Sequence, residues 1–300
     1  MEVKWLEDFI ALAQCNNFSR AAELRNLTQS GFSRRIRALE QWVGAALVDR
    51  STYPPSITAA GELLLETARD VVHKLVDART VIRTQQRMPG AGLLIAAGHT
   101  IALNFLPSWL TTLASHQINP SARVTATNGH DSIMMLVNGS CELVLVYHHP
   151  DIALMLDPVR YDFVTVGRDA LLPVSRATPQ GQPMYRLPGR ADHPVPLLSY
   201  TETSYFGRGV KLIVKRANPA PQLYLRYESD MAEVLKRMAL QGHGMAWVPA
   251  SSVKQELEAG ELVPSGTPAW CLDLEVRAYR DLTNHSPALE KLWSYLRATA

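Results

Sequence analysis

Long apolar runs are missing from this 300-residue chain. No stretch reaches the roughly twenty apolar residues that span a bilayer, so a membrane role is not expected. Cysteine is scarce: Cys15, Cys141 and Cys271 are odd in number, far apart and without a Cys-x-x-Cys pair. That excludes a disulfide framework and reads as buried free thiols in a reducing cytosol. An excess of one charge is lacking too, with 30 Lys and Arg against 28 Asp and Glu for a net +2. No global basic field draws the chain to polyanions. G-x-S-x-G, a phosphate-binding Walker loop, G-x-G-x-x-G after a strand and H-E-x-x-H are all absent, so neither catalysis nor a cofactor is expected. The G-x-G of Gly207-Arg208-Gly209 lies at a predicted helix start and has no third glycine. The first residues carry acids and aromatics rather than a basic start and an apolar run, so no signal peptide is expected and a cytoplasmic location is. Apolar residues make up 47% of the chain, enough for ordinary cores, and the length suggests about two domains.

The segment from Asn17 to Arg50 holds the most information. At about 100° per residue, Phe32, Ile36, Leu39 and Val43 share a narrow stripe, while Gln29, Ser30, Ser33, Arg34 and Arg37 share another arc. Thr28 predicts an N-cap, Leu27 and Phe32 a hydrophobic staple, and Gly44 a left-handed end. Gly31 is out of place, since glycine inside a helix costs about 1 kcal/mol against alanine. Glutamine can pair with adenine, and arginine with guanine or phosphate. Short hydroxyls and the first-turn N–H groups suit phosphate oxygens. By itself, this helix reads equally well as a solvated amphipathic helix. Its neighbours decide the matter. Residues 3–15 predict a helix with Trp5, Leu6, Phe9, Ile10 and Ala13 inside. A second helix follows, with Ser19 as its cap and Ala21, Ala22 and Leu24 inside. Extended runs at Leu47 to Arg50 and Ser56 to Thr58 flank the tip Tyr53-Pro54-Pro55, and Arg50, Ser51 and Thr58 would lie on this wing. The whole is a winged helix-turn-helix over residues 1–58, with local positive charge at Arg34, Arg35, Arg37 and Arg50.

Residues 59–90 predict one long helix and a hinge. Leu64, Ala68, Val71, Leu75, Ala78 and Ile82 alternate steps of four and three, a heptad seam for a second copy of the chain. Pro89-Gly90-Ala91-Gly92 reads as the hinge.

Residues 91–300 alternate strand and helix, as in a parallel sheet with crossover helices. Ligands of such sheets bind beyond the carboxyl ends of the strands. That rule names His99 and Thr100, Asn128 and His130, His148, then Ser199, Tyr200 and Thr203, and Met245 on the last turn. Hydroxyls and helix N-termini there favour a small anionic effector. His99, His130 and His148 could in principle hold zinc, but they include no H-x-x-x-H pair, and no metal is assigned.

The run Asn17-Phe18-Ser19-Arg20-Ala21-Ala22, then Thr28-Gln29-Ser30, Ser33-Arg34 and Ile36-Arg37-Ala38-Leu39-Glu40, resembles the DNA-binding signature of LysR-type transcriptional regulators. Leu47-Val48-Asp49-Arg50 and Thr58-Ala59-Ala60-Gly61 fit the same pattern, although Gly31 and Val48 stand where alanine and phenylalanine are usual. The resemblance implies DNA contacts from Thr28, Gln29, Ser30, Ser33, Arg34 and Arg37, with wing support from Arg50 and Thr58. It also implies a periplasmic-binding-protein-like α/β effector domain of two Rossmann-like lobes. Lobe I would take residues 91–163 and 270–300, and lobe II residues 164–269. Implied partners are a double-stranded DNA operator, a small effector, further copies in a homodimer or homotetramer, and RNA polymerase when the regulator activates. Segments 199–209 and 242–249 are similar to hypochlorite-responsive members that sense by methionine oxidation, which would involve Met134, Met135, Met231, Met238 and Met245. A solute-binding protein or an enzyme on the same α/β fold is the remaining alternative.

Overall fold

Three helices, α1 (Val3–Cys15), α2 (Phe18–Leu24) and α3 (Gln29–Val43), close on one apolar cluster. Leu6, Phe9 and Leu12 of α1 meet Phe32, Ile36 and Leu39 of α3, with Ala21 and Ala22 between them. The computed structural model describes residues 1–51, 54–85, 92–118, 120–154, 156–202 and 204–299, without the side chains of 73 and 76–85. The chain divides into two units, Met1–Gln86 and Arg87–Ala300.

The predicted helix limits hold in the first unit, with one correction. Asn17, not Ser19, caps α2, its side chain accepting from the Arg20 backbone N–H at 3.0 Å. A cap needs extended backbone, which Asn17 has, whereas Ser19 is already inside the first turn. Thr28 caps α3, accepting from the Gly31 N–H at 3.2 Å, and Gly44 ends it at φ +80°. A Cβ on Gly31 would stand 3.0 Å from the Thr28 hydroxyl, so glycine at this position eases the cap.

The wing consists of β1 (Val48–Asp49) and β2 (Ser56–Ile57), paired antiparallel. Part of its expected tip, residues 52 and 53, lies outside the described residues. The long helix α4 (Ala59–Gln85) corrects the expected seam. Leu64, Ala68 and Val71 do not face outward. With Leu65 and Val72 they join the cluster built on Leu6 and Phe9. The physical reason is that α1 offers an apolar face on which the first turns of α4 lie. A domain limit at residue 58 would therefore cut through a core. Further along, Leu75 is exposed, while Ala78 and Ile82 have no described side chains and Pro89, Gly90 and Ala91 lie outside the described residues. Gly61 makes the contact between α4 and the wing possible, because a Cβ there would lie 2.3 Å from the Leu47 carbonyl oxygen.

In the second unit β3 (Leu93–Gly98) leads into α5 (His99–Asn104) and α6 (Leu106–Ser115). The break between them falls at Phe105, and Pro107 sits in the first turn of α6, where its missing N–H has no intrahelical bond to lose. Then come β4 (Ala122–Thr127), α7 (Gly129–Val137), β5 (Leu143–His148), the sixteen-residue β6 (Tyr161–Arg176) and β7 (Val195–Tyr200). They are followed by α8 (Tyr205–Arg216), β8 (Leu223–Ser229), α9 (Ala232–Leu240), β9 (Met245–Pro249) and α10 (Ala250–Glu258). The last elements are β10 (Leu262–Pro264), β11 (Leu272–Asp281) and α11 (Pro287–Thr299). The strands form one sheet in the order β4-β3-β5-β11-β6-β9-β7-β8, with β10 on β6. Two parallel blocks, β4-β3-β5 and β9-β7-β8, flank the antiparallel pair β11-β6. The sheet passes from one block to the other at Leu171, which pairs with both Leu272 and Pro249.

Gly61→Ala should destabilise the N-terminal unit by about 1–3 kcal/mol through overpacking against fixed backbone. Urea unfolding followed by far-ultraviolet circular dichroism measures this, and an unchanged midpoint would show that α4 and the wing do not touch as described.

Candidate functional site

The carboxylate of Asp8 is fully buried at the junction of the three N-terminal helices. Arg25, just beyond α2, donates to it through Nε at 2.8 Å, and Arg35 of α3 donates at 3.1 Å. Arg25 also pairs with Glu7. Arg35 is therefore turned inward and is not part of an outward basic cluster. A buried charge must be paired, and the two guanidiniums meet that need. This leaves Arg34 and Arg37 on the outer edge of α3, both exposed and without an ion pair among the described residues. Gln29 and Ser30 are exposed beside them, and Ser33 is half-buried. The opposite edge is shut, with Phe32, Ile36 and Leu39 at 0% exposure.

The wing residues are tied to the protein. Arg50 pairs with Glu40 at 2.8 Å and lies over the Phe18 ring at 5.6 Å. Glu40 also accepts from the Leu47 and Val48 backbone N–H groups, at 3.0 and 3.2 Å, which anchors β1 to α3. The Thr58 hydroxyl donates to the Ala46 carbonyl at 2.7 Å and accepts from the Gly61 N–H at 3.0 Å, so it caps α4. Thr28 likewise uses its oxygen as a cap.

In the second unit the expected ligand contacts separate into groups. His99 and Thr100 form the first turn of α5, His99 exposed and Thr100 half-buried. Asn128 caps α7, accepting from the Asp131 N–H at 2.8 Å, and His130 is exposed in the same turn. His148 faces Glu275 at 3.7 Å. Burial, then the nearby Arg277 guanidinium, hold its imidazole below the usual range, so it offers a hydrogen bond rather than a charge near neutral pH. Ser199, next to last in β7, donates its hydroxyl to the Tyr200 carbonyl at 3.1 Å. Thr203 lies outside the described residues. Met245 corrects the expectation of a cleft-facing side chain. At 0% exposure it belongs to the core, because β9 lies between two neighbouring strands with α9 packed against it. Among the described residues no three His, Cys, Asp or Glu side chains gather as a metal site would require.

Tyr200 sits in a cluster that pattern reading missed. Phe206, at the start of α8, lies 5.2 Å from the Tyr147 ring and 5.3 Å from the Tyr200 ring. The Tyr147 hydroxyl donates to Asp169 of β6 at 2.8 Å, and Ser251 donates to the same carboxylate through its hydroxyl at 2.6 Å and its backbone N–H at 3.1 Å. Asp169 thus supplies the acceptor that Pro249 cannot provide at the N-terminus of α10. Asn104 of α5 donates to the Ser252 hydroxyl at 3.1 Å, a second tie between the blocks. Phe105 fills the space over Gly167, where a Cβ would lie 2.5 Å from its ring. The Tyr200 hydroxyl is buried without a hydrogen-bond partner among the described residues. Burial, then the Asp169 carboxylate, push the Tyr147 phenol well above its usual range, and burial does the same for Tyr200. Both are neutral donors at any physiological pH.

Residues 3–62 match the family described as "Bacterial regulatory helix-turn-helix protein, lysR family", and residues 87–300 match "LysR substrate binding domain". The chain belongs to the LysR family. It is a LysR-type DNA-binding transcriptional regulator with a substrate-binding effector domain. Among relatives, the HTH-type transcriptional regulator YjiE of Escherichia coli K12 is 30% identical over 99% of this chain and 94% of its own length. DarR of Vibrio fischeri, solved in complex with DNA, is 35% identical, covers 99% of this chain and 98% of that one, and has a TM-score of 0.58. Full-length HypT of Salmonella typhimurium, a hypochlorite-specific LysR-type regulator, is 30% identical over 99% and 97%, with a TM-score of 0.60. The likeness to HypT spans the same share of the chain as that to DarR, at lower identity, so it singles out no sensing chemistry for this LysR-type chain.

The sulfur atoms are also distributed. Of the five methionines considered for oxidation, Met231 is exposed, Met134, Met135 and Met238 are half-buried, and Met245 is closed off. Only Cys141 is a fully buried thiol, whereas Cys15 and Cys271 are half-buried, which corrects the expectation of three buried thiols. Burial pushes the Cys141 thiol up to about 12. The thiolate is the reactive form. Iodoacetamide at pH 8 should therefore spare Cys141 in the native protein and label it in urea. Mass spectrometry of peptides would detect native labelling at Cys141, which would contradict this burial.

Proposed function

We propose that this regulator reads a partly palindromic operator as a dimer of dimers, with α3 of each DNA-bound winged helix-turn-helix in the major groove. Gln29, Ser30, Ser33, Arg34 and Arg37 meet bases and phosphates, while Thr28 and Thr58 hold helix N-termini in place and Arg50 steadies the wing. The observation that carries this reading is the division of α3: one edge is wholly buried, and the other presents two arginines without ion pairs among the described residues. The DNA complex of DarR supports it. The long helix α4 pairs with that of a second copy of the chain.

The effector domain responds to a small, anionic molecule held between lobe I (91–163 and 270–300) and lobe II (164–269). His99, Thr100, Asn128, His130, His148 and Ser199 follow or end strands of the two blocks and are its contacts, with Thr203, outside the described residues, as a further one. The unpartnered Tyr200 hydroxyl, beside the Tyr147–Asp169–Ser251 chain, supports a polar ligand atom at that point. The ligand shifts the population between two arrangements of the lobes, and so the spacing of the recognition helices. The domain carries out no catalysis, acts in the cytoplasm, and engages RNA polymerase where it activates.

Selection from random oligonucleotides at moderate ionic strength tests the reading, with two variants that separate binding from folding. Arg34→Ala should keep wild-type stability, lose sequence preference and flatten the log–log salt dependence by about one unit. Arg35→Ala should lower stability instead, since Asp8 loses a partner. A wild-type protein that selects no sequence, or an Arg34→Ala variant that selects as well as wild type, would refute the proposal.

A further inference from the structure

A shallow groove of about 260 Å³ lies between the outer face of α8 and the segment after β5. Its floor is apolar, formed by Ile152, Ala153 and Leu212. Its rim is cationic, with Arg208, Lys211 and Lys215 at spacings that place them on one side of the helix. The acids nearby are already paired. Asp151 is held by Arg216, and Lys211 pairs with Glu202 at 2.9 Å. Arg208 is fixed in place, donating to the Ala153 carbonyl at 3.3 Å and lying over the Tyr205 ring at 5.5 Å. Lys215 is exposed and makes no ion pair among the described residues. The groove shares no residue with the set proposed for the interlobe effector.

The geometry points to a second ligand site here, for an organic monoanion with an apolar body, such as a medium-chain carboxylate. Charge alone does not account for it. An inorganic anion would leave the floor of Ile152 and Leu212 unused, and a neutral hydrocarbon would leave the Lys215 and Arg208 charges unanswered. Both together fit a ligand with one charged end and an apolar body, part of which stays outside a groove smaller than the roughly 300 Å³ at which enclosed ligand pockets begin. One wall belongs to the segment leaving β5 and the other to α8, which follows β7, so the occupant bridges the two parallel blocks and its binding favours one spacing between them.

Isothermal titration of the full-length protein with octanoate, octanol and sodium sulfate tests the site. Octanoate should bind, with octanol and sulfate at least about tenfold weaker because each lacks one half of the recognition. Lys215→Glu should weaken octanoate by about tenfold or more. Ala153→Trp, at an exposed position, should block it by filling the floor, and Lys215→Gln, a milder change, should fall between wild type and Lys215→Glu. Thermal unfolding of each variant reports whether it is folded. No octanoate binding to the wild type, equal binding of sulfate, or full affinity in folded Lys215→Glu and Ala153→Trp would each overturn the assignment.

Discussion

The buried carboxylate of Asp8 fixes how the DNA-reading half of the molecule is put together. It lies on α1 and is answered by Arg25 from the end of α2 and Arg35 from the middle of α3. A single charge thereby sets the mutual position of three helices. Hydrophobic packing alone is tolerant of small sliding and rotation, whereas a charge with no water around it demands its partners at hydrogen-bond distance. The register it imposes puts Arg35 inward and leaves Arg34 and Arg37 outward. Glu40 works in the same way at the other end of α3, holding β1 through two backbone N–H groups and Arg50 through its guanidinium.

The effector domain uses a related device where its two blocks meet. Asp169 on the long strand β6 gathers Tyr147 from the first block and Ser251 from the second. Asn104 and Ser252 add a lighter tie, and Phe206 covers the join from α8. Polar contacts of this kind fix the join by direction as well as by distance, so the two blocks meet in one defined register.

Much of this was legible in the sequence where the signal is local. The α3 stripe, the Thr28 cap, the Gly44 end and most strands follow from periodicity and turn residues within a dozen positions. Asp8 was not legible, because an acid on an amphipathic helix reads as solvent-facing and its partners lie 17 and 27 residues away. Arg35 was misread for the same reason. The first half of β6 was hidden by Asp162, Thr165, Arg168 and Asp169, which look like loop residues until a neighbouring strand supplies pairing. Helix α10 was missed because it buries little beyond Ser252 and Val253. Met245 looked ligand-facing from its place after a glycine turn, but burial in a central strand depends on which elements stack on it, and no local pattern reports that.

The early turns of α4 are built into the same core as α1 and α3, through Leu64, Leu65, Ala68, Val71 and Val72. The reading head and its shaft are consequently one solid piece, with no slack joint between them at the wing. A rotation of those first turns of α4 must carry Arg34 and Arg37 with it, because the packed core between them leaves little room to slip.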